Sequence, residues 1–484
     1  MSNDLIEALL RPNHNRTLTL IVCSNMADRT KTQFNELFTG AMAHHKAGRL
    51  REAEAGYRAA LDISPGHAIA THNLGVVTAA QGKHLSAIDY FDNAIATEPR
   101  YASAHYNRAV ALERVGRIRE AIQSFSRACA IEPGHYDSHR ALGFLWLAEG
   151  ERGRALDHFA RTYELRRGDD RTGIARKSLS TATRSKLLHD AAQFRFLSEH
   201  RRDGLRFEAL ARVYAEVAKD VPEGVTSLSR HQLDRLGDNY NTSINVFSAP
   251  EMIDGAVNKQ LERDGLIRQF KTDQPGIVFF DDLLTQHALV RLRRYLLEST
   301  IWHDFSHIRG FVASYLEDGL ACPLLLQVAH ELRIVIPELL SHAPLTQAWA
   351  FKGLESGAAI DIHADDAAVS VNFWITPTAA NLTADHGGLV ICRVPPPPDW
   401  KVMDYGGDRA RIVAFLEQNA GKRLIVPYRQ NRAVLFDSRL FHYSDAPDFA
   451  QGYENQRINV TLLFGRRNGG QALSSLHWDK GAVI

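Results

Sequence analysis

The sequence predicts two structural classes in one chain: an N-terminal all-α solenoid of paired helices, and a C-terminal domain of antiparallel β-strands with flanking helices. The first prediction rests on residues that recur every 34 positions from about Phe34. The second rests on short apolar runs of alternating polarity, separated by turn residues, from Trp349 onwards. The length of 484 residues agrees with this division, since one hydrophobic core rarely serves more than about 250–300 residues.

The recurring residues have the properties of a helix–turn–helix unit. Glycine ends the first helix, alanine lets the paired helices approach, an aromatic ring fills the gap, and proline closes the second helix. These positions are Gly48, Gly82, Gly116 and Gly150; Ala53, Ala87, Ala121 and Ala155; Tyr57, Phe91, Phe125 and Phe159; Ala60, Ala94 and Ala128; and Pro65, Pro99 and Pro133. The fourth unit loses this phase at Thr162 and Arg167, which indicates a terminal cap.

A period of 34 residues is that of the tetratricopeptide repeat, so the pattern resembles three to four such repeats. Tetratricopeptide arrays commonly present a concave groove to a peptide or protein, and the resemblance therefore implies a partner surface. Polar candidates for this groove on the first helices are Asn73, Asn107, Arg108 and Arg140. Alternatively, the array is a packing platform or the contact of a homodimer.

The region after the repeats is predicted to be a helical cap and linker. KLLHDAAQFRFLSEH and GLRFEALARVYAEVAKDV carry apolar residues at spacings of three and four, as amphipathic helices do. We interpret His189 with Asp190 as a surface or capping pair, and the basic stretch 176–186 as a solvated helix face. The predicted organisation is a poorly ordered extension (1–33), tetratricopeptide repeats (34–169), cap and linker (170–266), β domain (267–467) and tail (468–484).

Three stretches of the β domain carry a candidate metal site. His363 and Asp365 stand two residues apart, so on an extended strand both side chains leave the same face. AVLFDSRLFHYSDAP supplies His442, and QRINVTLLF supplies Arg457. Two imidazoles and one carboxylate form the facial triad of non-haem iron(II), and an arginine suits bidentate binding of a dicarboxylate. The rival second histidine, His386, precedes two glycines in a predicted turn, where a histidine needs no function.

The His-x-Asp pattern occurs three times, and only one occurrence has further partners downstream. His135 with Asp137 lies at a junction of two repeats, and His477 with Asp479 is followed by no later histidine or arginine. His363 is therefore the favoured ligand, although a hydrogen-bonded strand histidine is the alternative.

The order of these residues, with apolar runs around each, resembles the iron(II)- and 2-oxoglutarate-dependent dioxygenases, particularly the prolyl-hydroxylase-like branch. GIVFFDDLLTQHALVRLRRYLLEST is similar to that family's opening strand and helix, FKGLESGAAIDIHAD to its approach to the metal, and HGGLVICRV to its Gly-Gly-led strand. The resemblance implies a double-stranded β-helix, the cupin-like jelly roll. An insertion over 395–421 either covers the active site or is a surface excursion.

The resemblance also implies cofactors and roles. Fe(II) would be held by His363, Asp365 and His442, and 2-oxoglutarate would bind Arg457, whose alternative partner is Glu454 on the surface. With O2 these cofactors hydroxylate an unactivated C–H bond. Further pocket residues are expected to be Asn372, Tyr443, Asn459 and Thr461.

The resemblance leaves three functions open. The first is hydroxylation of a protein or peptide side chain recruited by the repeats. The second is hydroxylation of a small molecule, an amino acid or natural product, with repeats used for dimerisation. The third is a non-enzymatic repeat scaffold.

Composition excludes several other classes. The formal net charge of +1 gives no reason to expect nucleic acid or an anionic membrane as a partner. The cysteines are scattered without CxxC pairing, which favours neither a disulfide framework nor a thiolate metal site and fits a reducing cytoplasm. They are Cys23, Cys129, Cys322 and Cys392.

Overall fold

The computed structural model describes residues 12–168, 180–273, 276–306, 310–340, 343–354, 359–397, 400, 409–419, 423–445 and 447–465. These residues form two compact units, and the boundary between them lies between Ser138 and His139. The boundary falls inside the predicted repeat array, so the fourth helix pair is part of the C-terminal unit. No helix in the described residues is both long and apolar enough to cross a membrane.

The N-terminal unit is all-helical. Its helices are α1 (Pro12–Lys46), α2 (Leu50–Ile63), α3 (Ala68–Ala80), α4 (His84–Thr97), α5 (Ala102–Arg114) and α6 (Ile118–Ile131), and α7 (Tyr136–Ala148) crosses into the second unit. Gly48, Gly82 and Gly116 follow α1, α3 and α5 with φ of 73°, 80° and 78°, the left-handed conformation that glycine adopts without steric penalty. A side chain at Gly75 would lie 2.7 Å from the Phe91 ring, so helix pairing there requires glycine.

The extension predicted before Phe34 is helical in its described part. Residues 12–33 belong to α1, which continues without a break to Lys46. No glycine or proline occurs between Asn13 and Thr39, so nothing in the sequence interrupts this helix. Residues 1–11 and the predicted tail 468–484 lie outside the described residues.

In the C-terminal unit α7 is followed by α8 (Arg152–Arg167) and then by the two helices predicted after the repeats. They bury Phe194, Phe207 and Tyr214 in a shared core, as their amphipathic spacing predicts. These two helices are α9 (Arg184–His200) and α10 (Gly204–Lys219). The helices after them are α11 (Arg230–Leu236), α12 (Arg263–Arg268), α13 (Gln286–Glu298), α14 (Pro323–Val335), α15 (Pro337–Leu340) and α16 (Arg409–Gln418).

The β domain consists of two antiparallel sheets that share one core. The strands are β1 (Thr181–Ala182), β2 (Thr226–Ser227), β3 (Ile277–Phe280), β4 (Phe311–Tyr315), β5 (Leu345–Gly353), β6 (Val369–Trp374), β7 (Leu389–Cys392), β8 (Arg423–Val426), β9 (Ala433–Asp437), β10 (His442–Ser444) and β11 (Ile458–Phe464). The larger sheet has the order β3-β9-β6-β11-β5-β4 and the smaller one β10-β7-β8, while β1 pairs with β2. Trp374 and Phe436 of the larger sheet pack with Leu389 and Val426 of the smaller one.

The fourth repeat loses its phase for a reason other than the expected terminal cap. Thr162 and Arg167 are buried within the C-terminal unit. Arg167 donates to both carboxylate oxygens of Asp318, with Nε–Oδ1 at 2.8 Å and Nη2–Oδ2 at 2.6 Å. Burial acts to raise the pKa of Asp318, but the guanidinium groups of Arg166 and Arg167 hold it well below its usual range. Thr162 and Arg167, which depart from the repeat pattern, therefore pack α8 within the C-terminal unit.

We expect Arg167→Ala to lower the free energy of unfolding by about 3–5 kcal/mol, because it leaves Asp318 buried without its partner. The matched control is Arg161→Ala. Arg161 pairs with Glu164 at the surface, and such pairs contribute ~0–1 kcal/mol. Urea denaturation of both variants gives the comparison, and equal losses would contradict a stabilising role for the buried pair.

A second buried polar group corrects two expectations. His189 and Asp190 are buried, not exposed, and Lys186, at the described end of the basic stretch 176–186, is buried with them. Asp190 accepts hydrogen bonds from Lys186 and from Nδ1 of His189. The i,i+4 spacing of Lys186 and Asp190 on α9 pairs their charges, which permits their burial.

Lys352 of β5, in the larger sheet, is a further buried polar side chain. Its side chain is fully buried, and its Nζ lies 3.1 Å from the ring centroid of Tyr453. That Nζ has no hydrogen-bond partner among the described residues. Burial lowers the pKa of Lys352 well below its usual value, because it disfavours the charged amine.

We expect Lys352→Met to stabilise the protein by about 1–3 kcal/mol, since an unpartnered buried polar group is destabilising by that amount. In the wild type the unfolded state binds the additional proton, so the free energy of unfolding rises with pH up to the usual lysine pKa of 10.5. Lys352→Met lacks this contribution to the dependence of the free energy of unfolding on pH. Urea denaturation at pH 7 and 9, beside the exposed control Lys219→Met, measures both effects, and an unchanged slope would contradict the account.

Candidate metal centre

Two extended segments bring the candidate ligands together. The backbone of His363 pairs with that of His442 in an antiparallel bridge, with N–O distances of 3.1 and 2.9 Å. Asp365 places Oδ1 3.7 Å from Nε2 of His363 and Oδ2 3.6 Å from Nε2 of His442. The ligand atoms of all three lie within 4.8 Å of one another. No other group of three histidine, cysteine or acidic side chains does so in the described part of the chain.

Backbone carbonyls orient both imidazoles. Nδ1 of His363 lies 2.8 Å from the carbonyl oxygen of Asp361, and Nδ1 of His442 lies 3.0 Å from that of Leu440. A carbonyl only accepts, so each Nδ1 carries the hydrogen and each Nε2 is left with its lone pair. This is the tautomer of a metal-ligating histidine.

A serine hydroxyl orients the carboxylate of Asp365. Oγ of Ser370 donates to Oδ2 of Asp365 at 2.6 Å, and Oγ of Ser438 lies 2.8 Å from that of Ser370. Sequence reasoning missed these serines. Ser370 had a usable signal, because it stands two residues before Asn372 on one strand and therefore on the same face.

The charges in this group favour a bound cation. Asp365 is 4% exposed, and in the described residues its ion-pair partners are the two histidines alone. A buried carboxylate is unfavourable without a compensating positive charge, and no lysine or arginine of the described residues pairs with this one. A divalent metal supplies that charge, and two imidazoles with one carboxylate leave coordination positions open. The residues present therefore fit a mononuclear divalent centre.

The rival histidine lies elsewhere. His386 is exposed in a loop, where its Nδ1 lies 2.9 Å from Oδ2 of Asp445. It does not belong to the group of metal-ligating side chains. Between the two candidates, the structure thus brings His442, and not His386, to Asp365.

A cavity of about 340 Å³ lies beside the three ligands. Neighbouring strands bring its walls together, since Thr461 of β11 is in register with Asn372 of β6 and Trp349 of β5. Five lining residues were not predicted: Trp349, Phe351, Ile360, Leu389 and Ser444. The eight predicted residues that line it are His363, Asp365, His442, Arg457, Asn372, Tyr443, Asn459 and Thr461.

Arg457 is a buried cation with hydrogen-bonding capacity to spare. Its Nε donates to the carbonyl of Gly387 at 3.0 Å and its Nη2 to that of Gly388 at 3.1 Å. Nη1 lies 3.4 Å from Oδ1 of Asn459. A guanidinium carries five N–H groups, so one hydrogen on each Nη remains, which is the fork that a carboxylate accepts.

The environment of Arg457 also favours an anion. It forms no ion pair with a carboxylate of the described residues, Glu454 included, whose partner is Arg293. Burial lowers the pKa of Arg457 to about 10, so the group stays charged at neutral pH. A ligand carboxylate would compensate this charge.

Asn372 and Tyr443 are two more predicted residues that line the cavity. Nδ2 of Asn372 donates to Oγ1 of Thr461 at 3.1 Å, while its Oδ1 is buried without a partner in the described residues. That oxygen is left to accept a hydrogen from a bound molecule. The hydroxyl of Tyr443 lies 3.4 Å from Nη1 of Arg423.

The insertion packs onto the segments that carry the ligands. Trp400 and Ile412 share a hydrophobic cluster with Phe441, and Ile362 and Ala364 pack against the same cluster. Phe441 directly precedes His442, and Ile362 and Ala364 flank His363. No described residue of 395–421 lines the cavity. The described insertion therefore supports the ligands from behind.

The predicted groove residues of the repeats lie at partly buried positions or in the interior. Nδ2 of Asn107 lies 2.8 Å from Nε2 of His72, whose Nδ1 lies 3.1 Å from Oδ1 of Asn73. Arg108 donates to Oγ of Ser124 at 2.6 Å. Arg140 is 2% exposed, so it offers no surface to a partner and that assignment is wrong.

The comparisons with known proteins identify the helical array. Residues 38–96 and 72–136 match the family described as tetratricopeptide repeat, and the N-terminal solenoid is therefore built of these repeats. The match ends at residue 136 and does not extend to the β domain. No curated protein sequence matches the chain.

Solved structures similar to the chain include proteins with such repeats. MamA from Desulfovibrio magneticus RS-1 shares 22% identity over 28% of this chain and 78% of that chain, with a TM-score of 0.27. The first tetratricopeptide domain of Spaghetti (RPAP3), bound to the HSP90 peptide SRMEEVD, shares 20% identity over 25% and 94%, with a TM-score of 0.24. The Arabidopsis OM64 domain shares 19% over 22% and 86%, with a TM-score of 0.21.

We expect His442→Ala to weaken the binding of Mn²⁺, an oxidation-resistant probe, by more than about a hundredfold. Changes around a ligand already lower metal affinity about 10–100-fold, and this variant removes a ligand. His386→Ala is the matched control and should bind Mn²⁺ like the wild type. Isothermal titration calorimetry gives the affinities, and equal effects of the two variants would refute the assigned centre.

Proposed function

We propose that the C-terminal unit is an iron(II)- and 2-oxoglutarate-dependent dioxygenase that hydroxylates a C–H bond. The observation that carries the proposal is one cavity with two complementary charges. In the described residues, Asp365 between two imidazoles has no lysine or arginine as a compensating cation, and Arg457 has no paired carboxylate as a compensating anion. Iron(II) and the dicarboxylate 2-oxoglutarate supply both. Either feature alone would be compatible with many metal sites or anion sites.

The arrangement of the sheets supports a jelly roll for this domain. Asn372 and Asn459 reach the cavity from the larger sheet, and His442 reaches it from the smaller one. A site between two antiparallel sheets is expected of a double-stranded β-helix. We propose that fold for the strands from β3 to β11.

The chain's own residues hold and shelter the reactants. His363, Asp365 and His442 would bind the iron, while Ser370 keeps the carboxylate oriented. Arg457 would bind the far carboxylate of 2-oxoglutarate. When bound, iron(II) activates O2 at the expense of 2-oxoglutarate, which leaves as succinate and carbon dioxide while a C–H bond gains oxygen. Trp349 and Phe351 give the cavity an aromatic wall beside the reacting groups.

The repeats suggest what is hydroxylated. Tetratricopeptide repeats are typical of protein-interaction scaffolds, since stacked helix pairs form an extended binding surface. We propose that they recruit a protein or peptide whose side chain is oxidised, in a reducing cytoplasm. A small-molecule hydroxylase with dimerising repeats is the second candidate. A homodimer in size-exclusion chromatography with light scattering, and activity on free amino acids or natural products, would favour it.

We expect purified, iron(II)-loaded protein to convert 2-oxoglutarate to succinate slowly without added substrate. Arg457→Met should raise the half-saturating concentration of 2-oxoglutarate roughly tenfold to hundredfold, because a hydrogen bond to a charged group contributes about 1.5–3 kcal/mol. Arg439, paired with Asp437 at the surface, provides the control Arg439→Met. Absence of both turnover and an anaerobic iron–2-oxoglutarate charge-transfer band would sink the enzyme proposal and favour the repeat scaffold.

A further inference from the structure

A second cavity of about 480 Å³ adjoins the metal-site cavity, and Arg457 lines both. Phe311 lines the second cavity and packs edge-to-face on Phe351 of the first, with ring centroids 6.3 Å apart. Its walls include the apolar side chains of Leu354 and Phe449. Because Arg457 lines both cavities, a molecule that reaches the metal site has an adjacent space for its neighbouring part.

The two cavities contain few charges. Among the described residues, Asp365 is the carboxylate and Arg457 the guanidinium that line them, beside the candidate metal ligands His363 and His442. Under the proposed function both are already used, one by the metal and the other by the co-substrate. A free amino acid carries an ammonium and a carboxylate, and both would be left without a partner here. Burying unpaired charges is strongly unfavourable, so this chemistry argues against a zwitterionic substrate.

The second cavity also offers an unused acceptor. Oε1 of Gln456, one of its lining residues, is buried and has no hydrogen-bond partner among the described residues. Buried acceptors are normally satisfied, and one left unpaired destabilises the folded state. An N–H group of a ligand would satisfy it. The backbone of a peptide supplies such groups without carrying charge.

We propose that the second cavity binds the uncharged peptide segment next to the side chain that is oxidised. The substrate is then an internal stretch of polypeptide, with apolar side chains against Phe311 and Phe449 and a backbone N–H on Gln456. The inference rests on the proposed function, because it assigns the metal-site cavity to the reacting group. It distinguishes hydroxylation of a peptide from hydroxylation of a free amino acid.

The test measures succinate formation by the full chain with iron(II), 2-oxoglutarate and one of two probes. The first probe is a pool of short N-acetylated, C-amidated peptides randomised over uncharged residues, and the second is a mixture of free amino acids. The peptide pool should raise the rate above the uncoupled rate, and the amino acids should not. Mass spectrometry of the pool should show addition of one oxygen atom.

Two variants connect this stimulation to the second cavity. Gln456→Met removes the acceptor and should raise the half-saturating peptide concentration roughly threefold to tenfold, the effect of one neutral hydrogen bond. Leu354→Trp fills the cavity and should abolish stimulation. Ile334→Trp, at a 63% exposed position of α14, is the size-matched control and should retain stimulation.

Three outcomes would overturn the proposal: stimulation by free amino acids, stimulation that neither cavity variant changes, and no stimulation by peptides while uncoupled turnover persists. The last outcome would leave the oxygenase proposal standing. Absence of iron and 2-oxoglutarate binding in the wild type would refute the oxygenase itself, so the two failures are distinguishable.

Discussion

The buried carboxylate of Asp365 is the constraint on which the candidate site depends. It lies between two imidazoles that backbone carbonyls hold with Nε2 facing it, and no lysine or arginine of the described chain pairs with it. Such a group is stable only if a cation completes it. The backbone bridge between His363 and His442, the serine contacts of the carboxylate and the aromatic cluster behind the ligands all preserve this geometry.

Arg457 has the opposite requirement in the same cavity. Its guanidinium is buried, charged and bonded to neutral oxygens only in the described chain. A metal would therefore compensate the charge of Asp365, and a dicarboxylate would compensate that of Arg457. Little uncompensated charge would remain for the substrate. The neighbouring cavity continues this pattern with apolar walls and one unpaired acceptor. The same electrostatic reasoning thus leads from the cofactors to an uncharged peptide segment, which agrees with repeats typical of protein-interaction scaffolds.

The sequence allowed prediction where the evidence is local or repeated. The glycines after the first helices adopt the left-handed conformation that the 34-residue pattern indicated, and helices α9 and α10 follow their amphipathic spacing. Strand alternation and order along the chain singled out eight residues that line one cavity between the two sheets. Arg167 and Asp318 meet across 151 positions, and Lys352 meets Tyr453 across the fold. Such burial depends on tertiary packing, which residue type alone does not reveal.

The most direct measurement is a crystal structure of the protein prepared anaerobically with iron(II) and 2-oxoglutarate. The account predicts one iron bound by Nε2 of His363, Nε2 of His442 and the carboxylate of Asp365, with the far carboxylate of 2-oxoglutarate on the guanidinium of Arg457. Iron at another position, or 2-oxoglutarate bound without contact to Arg457, would contradict it.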